Sequence, residues 1–293
     1  MEAVLEGFAG SLEAEDLSPR TVINYVNDMR LFGRWYEESY SQPFEPGRIV
    51  QREVSEYRAW LQGSAQGRKP AAAETVNRRL VSLRRFFGWV SPERNPAAGV
   101  KGIKIIDPGV QALSLPQLRR LLREVHAGGR VRDIAILELL AGTGIRVGEL
   151  VQSRLDDVEI SERRGTIRVR NGKGRSSREI ELNVDVRRAL SAWMDSRQRP
   201  GSDWLFLGER GHLTACGVWL IVRKYGDRAG ISKLHVHQLR HTVATRLLRE
   251  LHLDLATVAR IMGHRSIQTT LRYAEPNRED MAAAMEGLSL TGE

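Results

Sequence analysis

The feature that most constrains this chain is a break. From Ser91 to Ala112 it reads SPERNPAAGVKGIKIIDPGVQA, with prolines at 92, 96 and 108 and glycines at 99, 102 and 109. Proline fixes φ and removes a backbone donor, and glycine is costly in a helix interior, so no long helix or central strand crosses the stretch. The 293 residues therefore divide into two separately packed parts, each long enough to bury a core. The expected division is 1–98, a linker at 99–112, and 113–293.

Before the break the pattern is helical. Ser18 and Pro19 form an N-cap and N1 pair, and Val22, Tyr25, Val26, Met29 and Phe32 give an apolar stripe running toward Tyr40. A second helix is expected from Val50 to Leu61, ended by GSAQGRKP. In AAAETVNRRLVSLRRFFGWV the apolar residues Val76, Leu80, Leu83, Phe87 and Val90 recur at helical spacing and leave Arg78 and Arg85 on the opposite face. That face is solvated by default. It contacts phosphates only if the other part binds DNA.

After the break, Ser114 and Gln117 have capping-box spacing, and a helix from Asp133 to Leu140 stops at the glycines of AGTGIRVGEL before a new one starts near Arg146. GTIRVR and SREIEL read as strands joined through NGKGRSS, which puts Lys173 on a hairpin tip. Helices follow at 185–197, 214–229, 238–250, 254–262 and 266–273. The expected fold is mainly α, an N-terminal helical bundle followed by a mixed α/β domain with a small antiparallel sheet.

Net charge is +9, and it is unevenly placed: 13 basic and 13 acidic residues up to Ala98, but 30 against 22 from Leu113 onward. An excess of that kind favours a polyanionic partner, most often nucleic acid. No apolar run approaches the ~18 residues of a membrane span. The acidic start, MEAVLEGFAGSLEAED, is unlike a basic secretory leader, and the chain is expected to be cytoplasmic. Cys216 stands alone, which removes both an internal disulfide and a cysteine zinc site.

Five of the seven histidines lie between His235 and His264, three of them in HVHQLRH. His237 and His241 are four apart and could share a metal on one helical face. Against this, no HExxH pattern is present and Arg240 within the cluster repels a cation. No metal and no other cofactor is expected. Phosphodiester cleavage suits these residues better. Guanidinium groups neutralise the nonbridging oxygens, histidine moves protons near neutral pH, and lysine can protonate a leaving alkoxide. A tyrosine nucleophile is demanding, because with a phenol pKa of about 10 ionisation at pH 7 costs about 4 kcal/mol. Cationic donors must crowd around it, and Arg146, Lys173, His237, Arg240 and His264 supply candidates in separate segments ahead of Tyr273.

TGIRVGEL, the lysine in a hairpin turn, HVHQLRHTVATRLL and MGHRSIQTTLRYAE, in that order, resemble the tyrosine recombinases, also called the phage-integrase family. The first part, with LSPRTVINYVNDMRLF, resembles the family's helical core-binding domain. The resemblance implies that Arg146 and Arg240 clamp the scissile phosphate and that Lys173 is the general acid for the 5′-oxygen. It further implies that His237 assists deprotonation or bonds the phosphate, that His264 donates a hydrogen bond, and that Tyr273 attacks to leave a 3′-phosphotyrosyl link. Glu149 is similar to the family's supporting acid, Gln238 stands where aspartate is frequent, and His235 and His241 are taken as structural. Length and layout look most like the Xer-type recombinases, which implies DNA recombination sites as partner and a homo- or heterotetramer joined by a tail helix at about 278–288. Two alternatives remain open on the residues: a type IB topoisomerase-like enzyme, and a non-catalytic DNA-binding accessory protein.

Overall fold

A computed structural model describes residues 1–63, 69–105, 111–128, 130–171, 175–197, 201–209, 211–264, 266–274 and 285–286. The chain forms two compact units, Met1–Asp107 and Pro108–Glu293.

The N-terminal unit is a bundle of α1 (Glu2–Ala14), α2 (Pro19–Tyr40), α3 (Gln51–Gln62) and α4 (Ala73–Val90). Ser18 caps α2 as its spacing predicts, its hydroxyl accepting from the Thr21 amide at 3.1 Å with Pro19 in the first turn. The opening segment, read in the sequence only for its acidity, is helical because Leu5, Phe8 and Leu12 lie on one face and all three are buried. Aromatic rings fill the core: Phe32 meets Phe44, Tyr57 and Phe87 edge-on at 5.7, 5.0 and 6.1 Å. Rings of this size make up for the small volume of a four-helix unit.

The outer face of α4 is not simply solvated. Arg78 pairs with the buried carboxylate of Asp28, which also accepts from the Ser82 hydroxyl at 2.7 Å. Arg85 pairs with Glu15, where both side chains are about half exposed. Beyond α4 the chain stays on this unit through 105. Arg84 donates to the carbonyls of Ala97 and Val100, and the Asn77 amide bonds both ways with Ile103. The first half of the expected 99–112 linker is thus pinned to the bundle.

In the C-terminal unit, α5 (Leu115–Ala127) begins with the expected capping box: the Ser114 amide donates to Gln117 Oε1 at 2.9 Å. The next helix, α6 (Val131–Thr143), carries Ala135, Ile136, Leu137, Leu139 and Leu140 through the middle of the core, apolar on nearly every side. A short α7 (Val147–Gln152) precedes strands β1 (Val158–Ile160), β2 (Gly165–Asn171) and β3 (Arg175–Glu181), antiparallel in the order β1-β2-β3. Val158 pairs with Ile167 and Ile167 with Ile180, which sets one apolar face toward the core. Then come α8 (Val184–Ser196), a two-residue-per-strand hairpin of β4 (Leu207–Gly208) and β5 (Gly211–His212), and α9 (Ala215–Arg228).

The last helices are α10 (Val236–Arg249), α11 (Leu255–Met262) and α12 (Gln268–Ala274). They share a small cluster of their own: Val243, Ala244, Val258, Met262 and Tyr273. The tail helix expected at about 278–288 lies outside the described residues except for Met285 and Glu286, which are helical. Among the described residues no helix is long and apolar enough to cross a membrane.

Candidate active site

Two left-handed glycines set the frame. Gly144 ends α6 at φ 64° and Gly263 ends α11 at φ 63°, each turning the chain sharply where a side chain would be strained. Space is equally short. A Cβ on Gly144 would sit 2.9 Å from Met262 Cε, and one on Gly263 would sit 2.7 Å from Arg178 Cζ.

The arginines of the site bond to the carbonyls at these helix ends. Arg240, on α10 and 3% exposed, donates to the Gly144 carbonyl at 2.7 Å and the Met262 carbonyl at 2.6 Å. Arg146, at the start of α7, donates to the Gly263 carbonyl at 2.8 Å. Cations at helix C-termini are favoured by the partial negative charge there, so these contacts hold α6, α10 and α11 in one arrangement. Burial and the charge of Arg146 lower the Arg240 guanidinium to about 10, still cationic at neutral pH.

Glu149 and Arg178 orient Arg146. The Glu149 carboxylate accepts from the Arg146 side chain at 2.8 Å and the Arg146 amide at 2.9 Å, and its two oxygens accept from Arg178 at 2.9 and 2.8 Å. Burial would raise this carboxyl, but the hydrogen bonds and charges of Arg178 and Arg146 hold it at about 2. Arg178 was not singled out in the sequence. Its signal was available: in β3 it falls on the same face as Ile180, and an arginine on an inward face needs a buried partner.

Tyr273 is 4% exposed, and its ring lies parallel to that of His264, with centroids 6.0 Å apart. His264 Nδ1 and the Thr270 hydroxyl are hydrogen-bonded at 2.8 Å, which fixes the imidazole. The phenol oxygen is hydrogen-bonded at 2.8 Å to Nδ1 of His241, the histidine taken as structural in the sequence. This histidine therefore has a direct partner on another helix, the phenol of Tyr273. His237 lies one turn earlier, its ring edge-on to that of His241 at 4.4 Å. The sequence did place the two histidines on one face, but not the tyrosine against them, because that requires α12 to pack on α10. His235 serves as N-cap of α10, its amide donating to Gln238 Oε1 at 2.9 Å.

The electrostatics are strongly cationic. Burial, then the charges of Arg240, Arg146 and Arg178, lower His264 to about 4; burial, then His237, Arg272 and Arg240, lower His241 to about 4. Desolvation by its neighbours and the charges of Arg240, Arg146 and Arg272 also lower His237. Burial pushes the Tyr273 phenol up, and the pull of Arg240, Arg272 and Arg146 does not offset it. A cleft of about 390 Å³ opens beside this group, walled by Ile145, Arg146, Val147, Gly148, Glu149, Val236, His237 and Arg240. Its wall is largely apolar, with Arg146 and Arg240 as its cations and Glu149 as its carboxylate.

Arg146, Glu149, His237, Arg240, His264 and Tyr273, six residues from four separate segments, are therefore joined by contacts into one group. Lys173 lies outside the described residues, between the paired strands β2 and β3. Arg78 and Arg85 belong to the other unit. Among the described residues no three His, Cys, Asp or Glu side chains are placed to hold a metal ion.

Residues 111–280 match the phage integrase family, and residues 5–93 match the phage integrase N-terminal SAM-like domain. The chain belongs to the phage integrase family. Tyrosine recombinase XerD of Bifidobacterium longum is 31% identical to this chain, over 90% of it and 89% of its own length. The crystal structure of a XerA recombinase is 25% identical, with TM-score 0.54, and covers 98% of both chains. A Tn1549 transposon integrase in complex with a circular intermediate DNA shares the fold at TM-score 0.77 and 19% identity, over 98% of this chain and 99% of that one.

Proposed function

We propose that Tyr273 attacks a DNA phosphodiester held by Arg146 and Arg240, in a site-specific recombinase that breaks and rejoins strands at two duplex sites. The observation that carries this reading is the convergence of a buried phenol and two oriented arginines, drawn from distant segments, beside a cleft that both arginines wall. The arginines neutralise the pentavalent phosphorane, His237 at the cleft wall and His264 beside the tyrosine donate to it, and Lys173 protonates the departing 5′-oxygen. The phosphotyrosyl bond keeps the energy of the broken phosphodiester, so rejoining needs no nucleotide cofactor. Glu149 positions Arg146.

Membership of the family, with XerD and XerA among its relatives, supports a tetramer, homomeric or with a related partner, assembled through the C-terminal tail. It acts in the cytoplasm, on the nucleoid, in chromosome-dimer resolution or in integration and excision of mobile DNA. Arg78 and Arg85 contact phosphates from the N-terminal unit, exchanging their carboxylate partners for DNA.

A nicked duplex bearing the recombination site tests the chemistry, because loss of the short strand beyond the nick traps the covalent adduct. Wild type should accumulate adduct and Tyr273→Phe none; adduct in both, or in neither, sinks the assignment. Lys173→Ala should slow cleavage of the normal substrate by about 10²-fold or more and recover with a 5′-thio leaving group, which needs no proton. Equal damage to both substrates excludes the acid role.

A further inference from the structure

We propose that His241 is the proton acceptor of the nucleophile: its Nδ1 takes the phenolic proton of Tyr273 as the phenol oxygen bonds to phosphorus. This rests on the function proposed above and adds a catalytic residue to it. The geometry is direct. Nδ1 is 2.8 Å from the reacting oxygen, whereas the ring of His237 packs edge-on against that of His241, with centroids 4.4 Å apart. His241 is fixed on α10 one turn after His237, so the acceptor rides on the same helix as Arg240. In the neutral tautomer with its proton on Nε2, which the proposal requires, Nδ1 is the acceptor and the phenol the donor.

The step balances. The Tyr273 O–H bond breaks and its proton passes to Nδ1; the phenol oxygen bonds to phosphorus; the bond from phosphorus to the 5′-oxygen breaks and that oxygen takes a proton from the general acid. Rejoining is the reverse, with His241 returning its proton to the departing phenolate.

The surroundings explain why the proton stays put at rest. The groups acting on His241 are His237 and Arg240 on its own helix and Arg272 and Tyr273 on α12, with His264 beyond the tyrosine ring. The two arginines disfavour an imidazolium there, and burial disfavours a phenolate. A phosphodiester entering between Arg146 and Arg240 brings the negative charge that offsets those cations. Transfer is then coupled to substrate.

The test uses the full chain and single-turnover adduct formation on a nicked duplex whose sequence is selected from a random pool by binding to wild type. His241→Asn keeps an acceptor oxygen near the place of Nδ1 but cannot hold a proton. It should bind the duplex as wild type does and cleave about 10²-fold more slowly. With 3,5-difluorotyrosine at position 273, a more acidic phenol that needs less help from a base, the deficit should shrink about tenfold. The deficit of His237→Asn should be the same with either phenol. His241→Gln carries the same comparison if the Asn variant does not bind. Cleavage by His241→Asn within about threefold of wild type, a deficit indifferent to fluorination, or a fluorination effect confined to His237→Asn would each overturn the assignment. Absence of adduct with wild type overturns the recombinase reading and this assignment with it, which separates the two failures.

Discussion

At the scale of single residues, the site depends on side chains that hold other side chains. Arg178 grips both oxygens of Glu149, which in turn holds the amide and guanidinium of Arg146. Arg178→Lys removes the planar fork and should slow cleavage nearly as much as Arg178→Ala, by roughly tenfold or more, because one ammonium cannot bind two oxygens in a plane. Measuring duplex binding beside cleavage checks this, since non-specific affinity should stay near wild type. Glu149 also gives the chain a pH dependence. Its carboxyl falls from 4.5 to about 2 on folding, so its contribution to stability is complete above pH 4.5 and lost as pH falls toward 2. Urea unfolding of wild type and Glu149→Gln at pH 6 and pH 3 should show a smaller acid loss in the variant. The pair of Arg78 with Asp28 bears on folding as well as on the proposed DNA contact. The carboxylate is buried, and Arg78→Ala should lower unfolding free energy by about 1–3 kcal/mol, because among the described residues it leaves Asp28 with the Ser82 hydroxyl and the more distant Arg79.

At the scale of elements, the ends of helices matter more than their middles. The carbonyls of Gly144, Met262 and Gly263 are the fixed points to which both arginines are tied. Gly144→Ala and Gly263→Ala each place a Cβ at positive φ and against a packed neighbour, and each should cost about 1–2 kcal/mol in denaturant unfolding while also slowing cleavage. The local signals behind these elements were legible in the sequence: the Ser18 and Ser114 caps, the glycine breaks of AGTGIRVGEL, and the alternation of GTIRVR and SREIEL. Elements with no local signal were not. β1, β4 and β5 are two or three residues long and exist only because a neighbour pairs with them. Most of the candidate site was legible as an ordered set of residue types, yet two residues in contact with it, Arg178 and His241, were not, for different reasons. Arg178 was hidden in a strand read only for its period. His241 was hidden because its partner lies on another helix, and spacing along one chain does not report packing between two.

At the scale of the whole molecule, the two units divide the work by charge. The N-terminal part is nearly neutral and the C-terminal part carries the basic excess, so long-range attraction of DNA originates mostly in the unit that holds the site. Arg85, whose ion pair with Glu15 is exposed, loses little by exchanging a carboxylate for a phosphate. Arg85→Ala should weaken binding and lower the slope of log K against log salt by about 1, measured by titration over a range of salt; an unchanged slope would return that arginine to plain solvation. The burial of Tyr273 matters at the same scale. A protein that finds its target by sliding and hopping meets a great many wrong phosphates for each right one, and every such encounter is an opportunity for a stray break. With the ring 4% exposed and its oxygen tied to a histidine, the proposed nucleophile is withheld from casual contact at rest. On the proposed chemistry, the resting shape of the protein would guard genome integrity during the search, before sequence recognition has begun.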